Sequence, residues 1–152
     1  MFRGFHFRRG AGSVAIEWML SDPSMRAVAI EARGERAARV RRNAAAFGVP
    51  TLEIVEGRAP AAFNGLARPD AVFVGGGASD AGLLDAAMDA LRPGGRLVVN
   101  AVTLDAEALL LARRVRVGGE LIRVAIARAE PIGRMEAWRP AVPLTQWTWI
   151  KP

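Results

Sequence analysis

Short apolar runs alternate with helix-like stretches along most of the chain, and this order constrains the fold more than any other feature. Four runs are rich in Val and Ile, as buried parallel strands are, at 25–30, 51–55, 71–74 and 96–100. Between them, apolar residues recur at helical spacing over 35–47, 59–66 and 79–91. Strands that alternate with helices predict an α/β fold, with a mostly parallel sheet and helices on both faces.

The tail departs from this alternation. After a predicted helix over 105–117, the segments 120–127 and 144–151 have the composition of strands. The prolines between them leave too little room for a packed crossover helix. Since a parallel return needs a crossover of about a dozen residues or more, the two late strands are predicted to pair antiparallel.

Composition limits the chemistry. The chain has 152 residues, 51% of them hydrophobic, which is enough for a single domain over 1–152 with one core. It has no cysteine and a single histidine, His6, which excludes disulfides, cysteine-ligated metals and the usual Ser-His or Cys-His nucleophiles; no metal site is expected. Without a long apolar run or a signal-peptide core, a cytoplasmic location away from membranes is expected.

The net charge of +6 is carried almost wholly by arginine, since Lys151 is the single lysine. The forked guanidinium suits carboxylates and phosphates, so an anionic ligand is plausible. The arginines at 33, 36, 39, 41 and 42 lie in one predicted helix whose other face is apolar. A solvated helix surface is therefore favoured over a nucleic-acid-binding face, and no nucleic-acid partner is expected.

Two early signals fit a nucleoside ligand. Gly10-Ala11-Gly12 precedes the amphipathic stretch 14–20, where glycines allow close backbone approach and a helix N-terminus offers free N–H groups; a plain turn is the alternative. Glu31 ends the first apolar run, nineteen residues after Gly12, where a carboxylate can accept both ribose hydroxyls. Alternatively, Glu31 complements the dipole of the following helix.

Two further signals lie at later strand ends. Gly57-Arg58-Ala59 follows the next strand, where an adenine ring could lie against backbone, although an ordinary turn with Pro60 at the first helical position is the alternative. Val74-Gly75-Gly76-Gly77 ends the strand after that, at the edge where open α/β sheets bind ligands. Three successive glycines there leave space for a bulky substrate or a reacting group.

A family resemblance rests on these signals together, over the segments 10–18, 28–31, 56–60, 70–77 and 97–103. They resemble the decarboxylating precorrin methyltransferases of cobalamin biosynthesis, which are class I S-adenosylmethionine-dependent methyltransferases. The likeness runs from Gly10 to Lys151. The Gly-x-Ala-Pro turn and the Val-Gly-Gly-Gly strand end are its most specific parts.

The resemblance implies a Rossmann-like, mostly parallel seven-stranded sheet with an antiparallel last strand. It also implies S-adenosylmethionine as cofactor, a polycarboxylate tetrapyrrole as substrate, and a homotetramer. The implied reaction methylates carbon 15 of the macrocycle and decarboxylates the acetate side chain on carbon 12. The implied cofactor residues are Gly10, Ala11, Gly12, Glu31, Gly57, Arg58, Ala59, Val74 and Gly75. The implied substrate residues are Gly76, Gly77, Asn100, Arg134 and Arg139, and no catalytic residue is assigned.

The first nine residues depart from the family pattern. Family members have an acidic residue and further glycines where this chain has His6, Phe7, Arg8 and Arg9, and they carry an upstream segment that covers the cofactor. A buried strand that ends in two arginines would be costly. We therefore expect either a truncated or misassigned chain start, or weak cofactor binding.

Two other functions stay open. A non-catalytic remnant that serves as an oligomerisation or scaffold domain would explain the atypical start. A nicotinamide-dependent oxidoreductase would share the glycine turn and Glu31, but it would show a fuller Gly-x-Gly-x-x-Gly motif and usually a catalytic Tyr, Lys or His, and this chain has no tyrosine. Some of the three residues Trp138, Trp147 and Trp149 are predicted to lie at a subunit interface; for Trp147 and Trp149 the alternative is that they cap the final strand pair internally.

Overall fold

The structure, a computed structural model, describes residues 3–7 and 12–152. Up to residue 101, five strands and three helices alternate except between β3 and β4: β1 Arg3–Phe7, α1 Ser13–Ser21, β2 Arg26–Glu31, α2 Gly34–Ala46, β3 Glu53–Glu56, β4 Ala71–Val74, α3 Ala81–Ala90 and β5 Arg96–Ala101. The remainder is formed by α4 Leu104–Val117, β6 Glu120–Val124, β7 Ala127–Ile132, β8 Met135–Pro140 and β9 Leu144–Ile150.

Seven strands form one sheet in the order β3-β2-β1-β4-β5-β9-β6. Strands β1 to β5 pair parallel, whereas β9 pairs antiparallel with both β5 and β6. The predicted parallel sheet with an antiparallel last strand is therefore confirmed. The order reverses between β1 and β4, which is where open α/β sheets form a ligand crevice.

Helices cover both faces, as predicted. Alternate residues of β2 point to opposite sides: Ala27 and Ala29 pack with α1 and α2, whereas Ile30 belongs to the larger cluster. That larger cluster joins β4 and β5 to α3, α4 and β9, with Trp147 fully buried. The period-2 alternation of a strand thus divides its side chains between two cores. No helix within the described ranges is long and apolar enough to cross a membrane.

Two predicted elements differ in the structure. The stretch 59–66 forms no α-helix but a single 3-10 turn at Ala61–Phe63, and Gly65, two residues later, takes a left-handed φ of 79°. The segment 120–127 was expected to be one strand, yet β6 ends at Val124 and a new strand begins at Ala127.

The proline-containing tail forms an additional hairpin that the sequence analysis did not predict. Strands β7 and β8 pair antiparallel as a separate two-stranded sheet. Every residue of β8 is exposed, including Trp138 at 74%. Gly133 supplies a left-handed φ of 62° in the turn between the strands.

Trp147 and Trp149 lie inside the molecule. Their rings are stacked with centroids 6.4 Å apart, and both are buried. The Trp147 Nε1–H donates a hydrogen bond to the Gly118 carbonyl at 3.0 Å. Of the two alternatives for these residues, the internal one is confirmed, and Trp138 alone is left as a candidate for an interface.

Candidate functional site

A pocket of about 330 Å³ lies at the carboxyl ends of β2, β3 and β4. It is lined by Ile30, Glu31, Ala32, Arg33, Arg36, Gly57, Arg58, Ala59, Gly76, Gly77, Asp80 and Leu83. This edge is the one at which open parallel sheets bind ligands. The pocket brings together the predicted strand-end signals of three separate strands.

Glu31 stands at the wall of this pocket in a fixed position. It is the last residue of β2 and is only 8% exposed. Its Oε1 accepts a hydrogen bond from the Arg33 N–H at 3.0 Å, and its backbone carbonyl accepts one from the Gly57 N–H at 3.1 Å. Because Arg33 is the N-cap of α2, the carboxylate both complements that helix terminus and faces the pocket.

The turn after β3 supplies a second wall. Gly57, Arg58 and Ala59 all line the pocket, although the helix expected to follow them is a short 3-10 turn. A Cβ at Gly57 would lie 3.3 Å from the Ala62 Cβ, so the turn is closely packed there. Phe63 stacks on Phe5 of β1 with ring centroids 6.1 Å apart, which anchors this turn to the central strand.

Only part of the Val74–Gly77 segment lines the pocket. Gly76 and Gly77 line the pocket, whereas Val74 is fully buried in the core and Gly75 is partly buried beside it. Gly77 has a left-handed φ of 81°, and a Cβ there would lie 3.2 Å from the Leu83 Cδ2. A side chain at this position would be strained and would crowd α3.

Asp80 was not identified from the sequence as a site residue. It lines the pocket and caps α3, since its Oδ1 accepts a hydrogen bond from the Leu83 N–H at 3.1 Å. The sequence signal that could have found it is an aspartate near the start of the predicted helix over 79–91, which follows a strand-end glycine run.

Gly12 lies at a close contact between two helices. It is the N-cap of α1 with a φ of 76°, and a Cβ there would lie 2.6 Å from the Val40 Cγ1 of α2. The close approach of two helices therefore requires glycine at this position whether or not a ligand binds. Gly10, Ala11, Arg8 and Arg9 lie outside the described residues, so the predictions on them stay predictions.

In the part of the chain that the structure describes, three arginines line the pocket: Arg33, Arg36 and Arg58. Within the described residues none of the three forms an ion pair, in contrast to Arg41, which bonds Glu56 at 2.8 Å. The sequence analysis placed Arg33 and Arg36 on a solvated helix surface. Arg33 and Arg36 follow Glu31 closely, at the start of α2. This position just after a strand end is the sequence signal that could have assigned them to the pocket.

The other predicted substrate residues lie elsewhere. Asn100 is at the end of β5, where its Oδ1 accepts a hydrogen bond from the Gln146 Nε2 of β9 at 2.9 Å. Arg134 and Arg139 belong to the β7–β8 hairpin and do not line the pocket. The Arg139 Nη1 bonds the Glu130 carboxylate at 3.0 Å across that hairpin. Their assignment to the substrate stays a prediction.

The family is decided by a match of residues 7–151 to the model of the precorrin methyltransferase domain. The chain belongs to this family. It is similar to a precorrin-6Y C(5,15)-methyltransferase [decarboxylating] of Sinorhizobium sp, with 61% identity over 142 residues. That alignment covers 93% of this chain and 34% of the relative, so the chain spans about a third of the length of that relative.

Two further precorrin methyltransferases extend the comparison. A cobalt-precorrin-6B C(15)-methyltransferase (decarboxylating) of Salmonella typhi is 33% identical over 139 residues, which are 89% of this chain and 71% of the relative. The crystal structure of the C-terminal domain of precorrin-6Y C5,15-methyltransferase from Rhodobacter capsulatus superposes with a TM-score of 0.91 at 41% identity. The superposition covers 99% of this chain and 80% of the Rhodobacter capsulatus chain. The Rossmann-like methyltransferase fold expected from the sequence is thereby confirmed.

Proposed function

We propose that this domain binds S-adenosylmethionine and methylates carbon 15 of a precorrin, coupled to loss of carbon dioxide from the acetate side chain on carbon 12. The observation that carries the proposal is the pocket at the carboxyl edge of the sheet, where Glu31, the Gly57–Ala59 turn and the Gly76-Gly77 run meet. Family membership supplies the reaction class, and the relative matched over 71% of its length is a C(15)-methyltransferase.

The pocket residues fit the proposed cofactor. A buried carboxylate at the end of β2 can accept hydrogen bonds from both hydroxyls of a ribose. The turn at Gly57 to Ala59 offers backbone polar groups and little side-chain bulk at the adjacent strand end, which suits a flat adenine ring. The described part of the chain shows no cluster of three or more His, Cys, Asp or Glu side chains that could hold a metal.

The contribution of the protein to such a reaction is alignment and electrostatics. When bound, the cofactor supplies an electrophilic methyl group, and the macrocycle supplies the attacking carbon, so no protein nucleophile is needed. Glu31 fixes the nucleoside end, while Gly76 and Gly77 leave open space at the reacting end of the pocket. Orientation and preorganised dipoles of this kind lower an activation barrier by several kcal/mol.

Calorimetric titration with S-adenosylhomocysteine tests the cofactor site. We expect Glu31→Ala to weaken binding at least tenfold, because it removes charge-assisted hydrogen bonds worth about 1.5–3 kcal/mol. Glu35→Ala is the matched control, since Glu35 is an exposed acid four residues later, in the first turn of helix α2, and does not line the pocket. Equal affinities for Glu31→Ala and the parent protein would refute the ribose assignment.

The same titration separates the competing functions. No binding of S-adenosylhomocysteine, with normal thermal unfolding, would favour the scaffold role. Binding of a nicotinamide dinucleotide in its place would favour the oxidoreductase. Saturable binding of S-adenosylhomocysteine supports the methyltransferase.

We further propose that the substrate is a polycarboxylate tetrapyrrole and that the protein assembles as a homotetramer. Three arginines at the pocket, Arg33, Arg36 and Arg58, form no ion pair with any residue that the structure describes, and they suit a substrate rich in carboxylates. The exposed apolar residues of the hairpin, Ile132, Met135 and Trp138, suit contact with another subunit. The mass in solution, by light scattering, tests the assembly, and a strictly monomeric mass would refute it.

A further inference from the structure

Helix α4 has two apolar faces, and only one of them packs against the core. Its inner face packs Ala106 and Leu110 into the core. On its outer face lie Leu104, Ala108, Leu111 and Val115. Leu104 and Val115 are each 84% exposed and Leu111 is 45% exposed, so this outer stripe meets solvent in a single chain.

The spacing of the outer stripe is that of one helix face. Its members lie at i, i+4, i+7 and i+11, and at about 100° per residue they fall opposite the buried residues. A surface helix normally has charged or polar residues there. An apolar stripe on the outer side is therefore unexplained by the fold of one chain.

The charges that flank the stripe indicate what covers it. Both acids of the first turn, Asp105 and Glu107, lie near one end, and both bases of the last turn, Arg114 and Arg116, lie near the other. By the same angular count, Asp105 shares one flank of the stripe with Arg116, and Glu107 shares the other flank with Arg114. Each flank is thus acidic at its N-terminal end and basic at its C-terminal end. Glu107 already accepts hydrogen bonds from Arg123 and Thr145 of its own chain, so the flank of Asp105 and Arg116 carries the argument.

A second α4 that runs antiparallel matches this pattern on both flanks. A two-fold axis perpendicular to the helix pair places each flank against the same flank of the other copy. Asp105 then faces the partner's Arg116, Glu107 faces the partner's Arg114, and Leu104 meets the partner's Val115. A parallel arrangement would instead place acid against acid and base against base.

We propose that the outer face of α4, defined by Leu104, Ala108, Leu111 and Val115, is the contact surface for a second copy of this chain in an antiparallel, two-fold arrangement. The interface is isologous, and it is separate from the β7–β8 hairpin, which forms its own small sheet. Two different isologous interfaces are what a tetramer with dihedral symmetry requires. The proposal does not depend on the reaction that the pocket catalyses.

Sedimentation velocity over a wide concentration range tests the contact. A single helix pair is at the lower end of interface sizes, so association through it is expected to depend on concentration. We expect Leu111→Glu and Val115→Glu each to weaken it at least tenfold. Phe47→Glu is the matched control, because Phe47 is an apolar residue 61% exposed at the end of α2 and away from α4.

Charge reversal tests the antiparallel register. We expect Asp105→Arg and Arg116→Asp each to weaken association, and the double variant to recover most of it, because the pair is rebuilt with opposite sign. Arg116 also lies 3.8 Å from the Asp85 carboxylate, so thermal unfolding of every variant is measured alongside. Arg39→Asp, at an exposed position of α2, is the control for the change in net charge.

Three results would overturn the proposal: a parent chain that is monomeric at every concentration, Leu111→Glu and Val115→Glu variants that associate as the parent does, or a double reversal no stronger than the weaker single variant. The most direct support would be a hairpin variant, Trp138→Ala, that no longer forms a tetramer but still forms a dimer. Adding Leu111→Glu to that variant should then abolish the dimer.

Discussion

Strand β4 and strand β8 place their apolar residues in opposite surroundings. All four residues of β4 are buried, with α3 packed against the larger core cluster, whereas all six residues of β8 are exposed. The pocket is formed at the end of the buried strand, where packing on both faces fixes the backbone. The hairpin has no such support, so its apolar side chains are available to another molecule.

A tryptophan of the core, Trp147 in β9, and a tryptophan of the hairpin, Trp138 in β8, give the largest contrast. Trp147→Ala should lower the free energy of unfolding by about 3–5 kcal/mol, because it empties a fully buried site and removes the hydrogen bond to Gly118. Trp138→Ala should change it by no more than about 0.5 kcal/mol in the dissociated chain, because its ring is exposed. Urea unfolding at low protein concentration measures both, and similar losses would contradict the comparison.

Two ion pairs give an intermediate contrast. The Arg113 guanidinium, 5% exposed, donates hydrogen bonds to the Asp85 carboxylate and to the Ala81 carbonyl, which ties α4 to α3. The hydrogen bond from Arg113 holds the pKa of the Asp85 carboxyl below its ordinary value of 3.8. Because Asp85 is half-exposed, Asp85→Asn should cost about 1–2 kcal/mol at neutral pH.

The pH dependence of that loss has a definite sign. A carboxyl whose pKa is lowered by folding stabilises the protein fully above 3.8, and this contribution is lost as the pH falls through the lower pKa of the folded state. The parent protein and Asp85→Asn should therefore have converging free energies of unfolding in acid.

The control is Arg139→Gln in the hairpin. Its ion pair with Glu130 is exposed and should contribute no more than about 0.5 kcal/mol to the free energy of unfolding. Equal effects at the two pairs would argue against the contrast.

The smallest expected effects concern the arginines proposed to bind the substrate. Arg58→Gln should weaken binding of the macrocycle several-fold, because Arg58 lines the pocket and has no ion pair within the described residues. Arg134→Gln with Arg139→Gln should weaken it less and mainly at low salt, since Arg139 is already paired with Glu130. Fluorescence titration at two salt concentrations measures both. A larger effect of the hairpin variant would mean that the hairpin reaches the substrate.

The core elements and much of the pocket were predictable because they depend on local patterns. The runs that became β2, β4 and β5 are apolar at strand length, and the glycines after β3 and β4 mark the edge where a pocket forms. Glu31 was identified by its place at the end of a strand. Asp80, Arg33 and Arg36 were missed as site residues because each also has an ordinary helix-end or helix-surface explanation.

The sequence by itself determined the alternating α/β order, the antiparallel return of β9 and the sheet edge at which the pocket lies, because apolar periodicity and chain reversal are set by neighbouring residues. The tertiary structure decided what depends on distant contacts. The stretch 59–66 is a 3-10 turn that packs Phe63 on Phe5, Gly12 is required by Val40 of a different helix, and Trp147 is buried while Trp138 is exposed. Two residues of the same type can differ in this way because burial is a property of what folds against them, which no local pattern records.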